Sequence, residues 1–127
     1  MSKEYIPLED LEVYKLAMKM SDISWEVFTK LPKHLQYSIG DQFVRSTDSI
    51  GANIAEGYGR FSFQDRIRIL YIARGSYFES KKHWLSLLKR RELISDLSFE
   101  AYTSLGNQFE LKLNLWIKSL RALKPQS

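Results

Sequence analysis

Proline occurs at only three positions, 7, 32 and 125, so between the last two nothing in the backbone forbids continuous helix. Apolar residues in that stretch recur at threes and fours, which is the period of a helix and not of a strand. Phe99, Tyr102, Gly106, Phe109, Leu113, Trp116, Leu120 and Leu123 keep this alternation throughout. A heptad-like seam of that kind favours shallow helix crossing angles and predicts a helix over about 98–123, stopped by Pro125.

The rest of the chain divides in the same way. A first helix is expected over about 8–30, with Leu11, Tyr14, Met18, Trp25 and Phe28 on one face and Ala17 and Ser21 between them. Leu31-Pro32 ends it, because the residue before a proline avoids helical dihedrals. A second is expected over about 36–57, through Ile39, Phe43, Ser46, Ile50 and Asn53/Ile54, on a core side thinned by Ser46, Ser49, Gly51 and Ala52. A third, over about 63–91, starts where Ser62 and Asp65 have the spacing of a capping box. It ends in Lys89, Arg90 and Arg91, cations that complement the helix dipole. Four long amphipathic helices with short links predict a single all-α domain over 1–127, an up-down-up-down antiparallel four-helix bundle.

The third helix carries more apolar surface than one core can take. Ile69, Leu70, Ala73, Ser76, Tyr77, Ser80, Trp84, Leu87 and Leu88 make one face, and Ile67, Tyr71, Phe78 and Leu85 a second stripe beside it. Together they span roughly 200°, against about 100° or somewhat more for an ordinary surface helix. Left wet, the second stripe would be a large exposed apolar patch, so it is expected to form a subunit interface. Arg74 and Lys81 lie within it, either snorkelling to its edge or meeting carboxylates of a neighbouring subunit.

The segment Ser49-Ile-Gly-Ala-Asn-Ile-Ala-Glu-Gly-Tyr-Gly-Arg60 has the look of a ligand loop. Gly57-Tyr58-Gly59 lacks the third glycine and the preceding strand of a dinucleotide fingerprint. Gly57 or Gly59 is instead expected to cap the second helix in the left-handed conformation. Gln42, Arg45, Ser49, Ala52 and Glu56 would make a polar strip along its flank. Arg45, Asn53, Glu56, Arg60 and Glu79 are then expected to form a hydrogen-bonded network that fixes helix register, since buried polar groups find partners.

No enzymatic site assembles from these residues. The only histidines, His34 and His83, sit in a loop and on a polar helix face, away from a nucleophile such as Ser49. Glu79 and His83 are four apart, and a di-iron bundle needs Glu-x-x-His pairs, repeated. No metal, cofactor or small-molecule substrate is expected. The aromatics at core spacing, Trp25, Trp84 and Trp116 among them, are read as core.

Cysteine is absent, which removes disulfides and thiolate chemistry together. The N-terminus lacks the apolar stretch of a signal peptide, and no run has the length of a membrane span, so a cytoplasmic location is expected. The net charge of +4 is uneven: residues 1–63 hold 7 Lys/Arg against 9 Asp/Glu, and residues 64–127 hold 12 against 6. A basic half points toward a polyanionic partner. The candidate phosphate contacts are Arg66, Arg68, Lys82, Lys89, Arg90 and Arg91.

Several blocks resemble a known family. They are Gln42-Phe-Val-Arg45, Ser49-Ile-Gly-Ala-Asn-Ile-Ala-Glu-Gly57, Gly59-Arg60, Ile72-Ala-Arg-Gly-Ser76 with Glu79, and the opening Leu11-Glu-Val-Tyr-Lys-Leu-Ala17. Together they are similar to the four-helix bundle proteins of the 23S rRNA intervening sequence, over nearly the whole chain. Phe78-Glu-Ser-Lys-Lys82 is more polar and basic than the family's usual Glu-Leu-Glu stretch. The resemblance implies a bacterial protein assembling as a homopentameric ring, with relatives that bind nucleic acid and a reverse transcriptase. The resulting expectation is a non-enzymatic oligomeric scaffold that binds RNA or DNA through basic surfaces. The alternative is a protein–protein adaptor with no nucleic-acid binding.

Overall fold

The structure, a computed structural model, describes residues 6–123; the stop expected at Pro125 lies outside them. A short 3-10 turn, Leu8–Asp10, leads into α1, Glu12–Lys30. The next helix, α2, runs through Lys33–Leu35, a π-helical turn Gln36–Gly40, and Asp41–Tyr58. Its successor α3 joins Phe63–Tyr77, a second π-helical segment Phe78–Trp84, and Leu85–Arg90. The last, α4, is Asp96–Leu123. There is no strand among the described residues.

The helix ends follow from local chemistry. Leu31, before Pro32, is extended (ψ 149°) and closes α1 as a pre-proline residue should. At the start of α3 the Asp65 N–H donates to Ser62 Oγ (3.0 Å), the serine half of the expected capping box. Helix α4 begins two residues earlier than its apolar pattern, because Ser95 Oγ accepts from Ser98 N–H (3.1 Å) and caps it. The end of α3 is a Schellman turn without glycine. Leu93 N–H donates to Leu88 O (2.8 Å), Glu92 N–H donates to Lys89 O (3.1 Å), and Glu92 takes the left-handed conformation at φ 56°.

The four helices pack as a bundle around one core cluster. Helix α1 packs on α2 and α4, and α3 on α2 and α4. Gly51 lies against Tyr14, Ala17 and Met18 while Gly40 lies against Phe28 and Leu31, so α1 and α2 are antiparallel. Gly57 faces Ile69 and Leu70, and Ser49 bonds Ser76, which sets α2 against α3 in the same sense. Phe43, Ile50, Ile54, Leu70, Tyr77, Tyr102, Phe109 and Leu113 form the fully buried centre. The expected seams of α2 and α4 are the ones buried, although Leu123 at the end of the α4 seam is exposed and Phe99 and Trp116 are half-buried.

The face of α1 is rotated from expectation. Val13, Leu16, Ala17, Met20, Ser24 and Val27 are buried, whereas Met18 and Trp25 are exposed, Trp25 stacking flat on Phe28 (centroids 5.2 Å apart). Close approach to α2 at Gly51 favours small residues on the inner face, and bulky rings fall to the flanks. Trp84 and Trp116 are likewise only half-buried.

The π-helical segment of α3 corrects the second apolar stripe. A π turn holds one more residue than an α turn, so residues beyond it are rotated by about 100°. Leu85 therefore turns from the outer stripe into the core and is 2% exposed, and Trp84 turns from the core toward the flank. Ile67, at the other end of the stripe, is also buried within the protomer. Neither side chain is left for a subunit interface.

Candidate nucleic-acid interface and polar connections

The glycine-rich stretch is the end of α2. Its last residues are not left-handed: Gly59 has φ −79°, and no described glycine has positive φ. The expected glycine cap is replaced by an arginine of the next helix. Arg66 donates from Nη2 to the carbonyls of Arg60 (2.9 Å) and Tyr58 (3.3 Å), with its guanidinium 5.7 Å from the Tyr58 ring centre. The carbonyls at a helix C-terminus lack intrahelical partners, and a cation there also complements the dipole. Gly57 serves packing: a Cβ there would stand 3.2 Å from Leu70 Cδ2.

The five residues expected to form one network fall into separate local pairs. Arg45 meets Asp41 (3.4 Å) along α2, and Arg60, just past its end, meets Glu56 (2.6 Å); both pairs are exposed. Glu79 accepts from the Trp84 indole N–H (2.9 Å). Asn53 donates to Ser49 O (2.8 Å) and Ser49 Oγ (3.1 Å), and Ser76 donates to Ser49 Oγ (3.0 Å). Helical side chains four apart on a solvated face bond each other first, so only the Asn53 group crosses between helices. Its hub, Ser49, stood in the expected polar strip; its partner Ser76 was hidden among the core positions of α3.

On the outer side of α3, Tyr71 and Phe78 are exposed at 36% and 39%. Arg74 and Lys81 reach across to α4 within the protomer. Arg74 Nη1 donates to Asn114 Oδ1 (3.1 Å) and Lys81 Nζ to Asn107 Oδ1 (2.9 Å). Between them Tyr77 Oη donates to a Glu110 carboxylate oxygen (2.9 Å). Burial lowers the Lys81 pKa, with Lys82 adding to the effect. Other exposed large apolar residues are Ile72 on α3 and Leu111 and Leu115 on α4, with Leu115 beside Leu11 and Val13 of the α1 end.

The six candidate phosphate contacts are not one patch. Arg66 is held by the end of α2. Arg68 lies 4.0 Å from Asp65 at the start of α3, about 30 Å along the helix from Arg90. Lys89 is bound to Asp96 (2.6 Å) and lies over the Phe99 ring, and its hydrogen bond holds the Asp96 carboxyl below its ordinary pKa. Lys82 stands over Phe78. Lys82, Arg90 and Arg91 are exposed and take part in none of the ion pairs among the described residues.

Beside that basic end of α3, a cleft of about 420 Å³ opens against the start of α2. It is lined by Leu35, Tyr37, Ser38, Ile39, Asp41 and Gln42 from α2 and by His83, Trp84, Leu87 and Arg91 from α3. No group of three or more metal-ligating side chains occurs among the described residues, and no helix among them is long and apolar enough to cross a membrane.

An all-α bundle with polar ties between its helices and a basic helix end defines the class. Residues 9–115 match the 23S rRNA-intervening sequence protein family, and the chain belongs to it. It is also similar to the crystal structure of a protein of unknown function from the S23 ribosomal protein family of Bacteroides thetaiotaomicron. The TM-score is 0.76 at 27% identity, over 84% of this chain and 98% of that one. No curated protein matches significantly.

Proposed function

We propose that the protein is a non-enzymatic, self-assembling scaffold that binds nucleic acid through its basic surfaces. The observation that carries this reading is the basic end of α3, where Arg90 and Arg91 are exposed without a carboxylate in an ion pair. Lys82 extends the same charge along the helix. Cations free of internal partners can neutralise phosphates and release counterions, and repetition of a modest site around an oligomer multiplies its effect.

Self-assembly is supported by the large apolar side chains left in solvent on α3 and α4: Tyr71, Ile72, Phe78, Leu111 and Leu115. These replace Ile67 and Leu85 as the interface set, and burying them against other copies removes an exposed apolar surface. The family resemblance favours a closed ring of five.

The test is binding of a fluorescent structured RNA across a salt series, with the mass in solution measured alongside. Several phosphate contacts should give a steep fall of affinity with salt. Reversing Arg90 and Arg91 to Glu should abolish binding while leaving the mass unchanged. Binding that survives reversal, or no binding by the unaltered protein, would leave the adaptor as the better reading.

A further inference from the structure

The cleft between α2 and α3 has a feature that charge does not explain. The two π-helical segments among the described residues, Gln36–Gly40 and Phe78–Trp84, both contribute residues to its wall. Such segments are uncommon and occur frequently at functional sites. Each rotates the side chains that follow it, and here Trp84 stands at the edge of the core, on the cleft wall.

Three kinds of chemistry meet there. The rings are Tyr37, exposed at 75%, and Trp84, with His83 edge-on to it at 4.5 Å between centroids. The Trp84 indole N–H donates to Glu79, so its polar edge is already matched. Gln42 supplies a side-chain amide, able to donate and accept at once. Arg91 supplies an exposed cation, while the one carboxylate of the cleft, Asp41, is already matched by Arg45.

We infer that this cleft takes one unstacked nucleotide of a single-stranded nucleic acid. The base stacks on Tyr37 beside Trp84, Gln42 meets its edge, and Arg91 meets its phosphate. Sequence-tolerant stacking on aromatic side chains next to a cationic track is how single strands are held, and bases become available for it only when unpaired. The inference rests on the nucleic-acid reading above and adds to it a preference for single strands at a named site.

The experiment titrates the full-length protein with a single-stranded ribo-oligonucleotide and with a blunt RNA duplex carrying the same number of phosphates. Single strand should quench tryptophan fluorescence by a component that disappears in Trp84→Phe. Tyr37→Ala, at a position too exposed to threaten the fold, should weaken single-strand binding about tenfold, the size of one lost stacking contact. Duplex binding should be unchanged. Equal losses for both forms, or no loss for either, overturn the cleft and leave the scaffold reading standing. Failure of the unaltered protein to bind either form overturns both.

Discussion

The hydroxyls of Thr47 and Tyr102 lie 2.7 Å apart with both residues fully buried, tying α2 to α4 through the middle of the bundle. A hydrogen bond shielded from water is worth about 1 kcal/mol net, but leaving one partner alone costs about 1–3 kcal/mol. Thr47→Val should therefore destabilise by about 1–3 kcal/mol in chemical denaturation. Adding Tyr102→Phe should recover part of the loss, because the orphaned hydroxyl goes with it. A double variant whose losses simply add would show the two residues to be uncoupled.

The same burial predicts an alkaline limit. The Tyr102 pKa is raised to about 12, first by burial, and Tyr77 is raised by burial and then by the Glu110 carboxylate. An unfolded phenol ionises near pH 10. Each buried phenol thus holds its proton more tightly in the folded state, and stability falls as the pH rises from about 10 toward 12. Of the seven tyrosines, these two should show tyrosinate absorbance only together with loss of helical circular dichroism.

Glu92 occupies a left-handed position at φ 56° at the end of α3. A side chain there costs about 1–2 kcal/mol relative to ordinary backbone, and glycine removes most of that cost while adding chain entropy to the unfolded state. Glu92→Gly should stabilise the protein by about 1 kcal/mol, read as a rise in Tm. An unchanged Tm would mean that the Schellman turn is not formed in solution.

Two glycines should respond to alanine with opposite signs. At Gly75, in mid-helix, a Cβ meets nothing within 4 Å, so Ala should gain up to about 1 kcal/mol of helix propensity. At Gly40 it would stand 2.9 Å from Leu31 Cδ1 and 3.1 Å from the Leu35 carbonyl oxygen. The carbonyl is backbone and cannot swing away, so overpacking of about 1–3 kcal/mol should outweigh the propensity gain. Thermal melts of the two variants, compared side by side, test the sign at each site.

Arg74 and Lys81 bond Asn114 and Asn107 inside the protomer. Ala at both cations should therefore leave the mass in solution unchanged and cost no more than about 1 kcal/mol, as for other exposed polar ties. Leu111→Glu with Leu115→Glu, by contrast, should lower the mass if the exposed side of α4 is the contact between copies. Dissociation by the cation variants would show that neighbouring carboxylates compete for them.

Much of the fold was legible because helix formation is governed by local spacing. Proline placement, three–four periodicity and the Ser62 cap marked α3 and α4, and Leu31-Pro32 marked the end of α1. The glycine-rich stretch was recognisable as the end of α2 because no strand precedes it, although the residue that caps it was not. Arg66 read as a free cation and is a cap, since its carbonyl partners are brought to it only by the turn between helices.

The amino-acid sequence by itself determined that this chain makes four long helices, where they begin and end to within a few residues, and which stripes of α2 and α4 turn inward. Tertiary structure decided the rest. A wheel drawn at constant pitch cannot anticipate a π-helical turn, so it places Leu85 outward and Trp84 inward, whereas packing buries Leu85 and leaves Trp84 half-exposed at the core's edge. It cannot rank two apolar faces of one helix either, which is why Trp25 lies outside while Ser24 is buried. Nor does it show that two π segments, Gln36–Gly40 and Phe78–Trp84, line one cleft. Period is a local property, whereas phase and juxtaposition depend on which neighbour each helix meets.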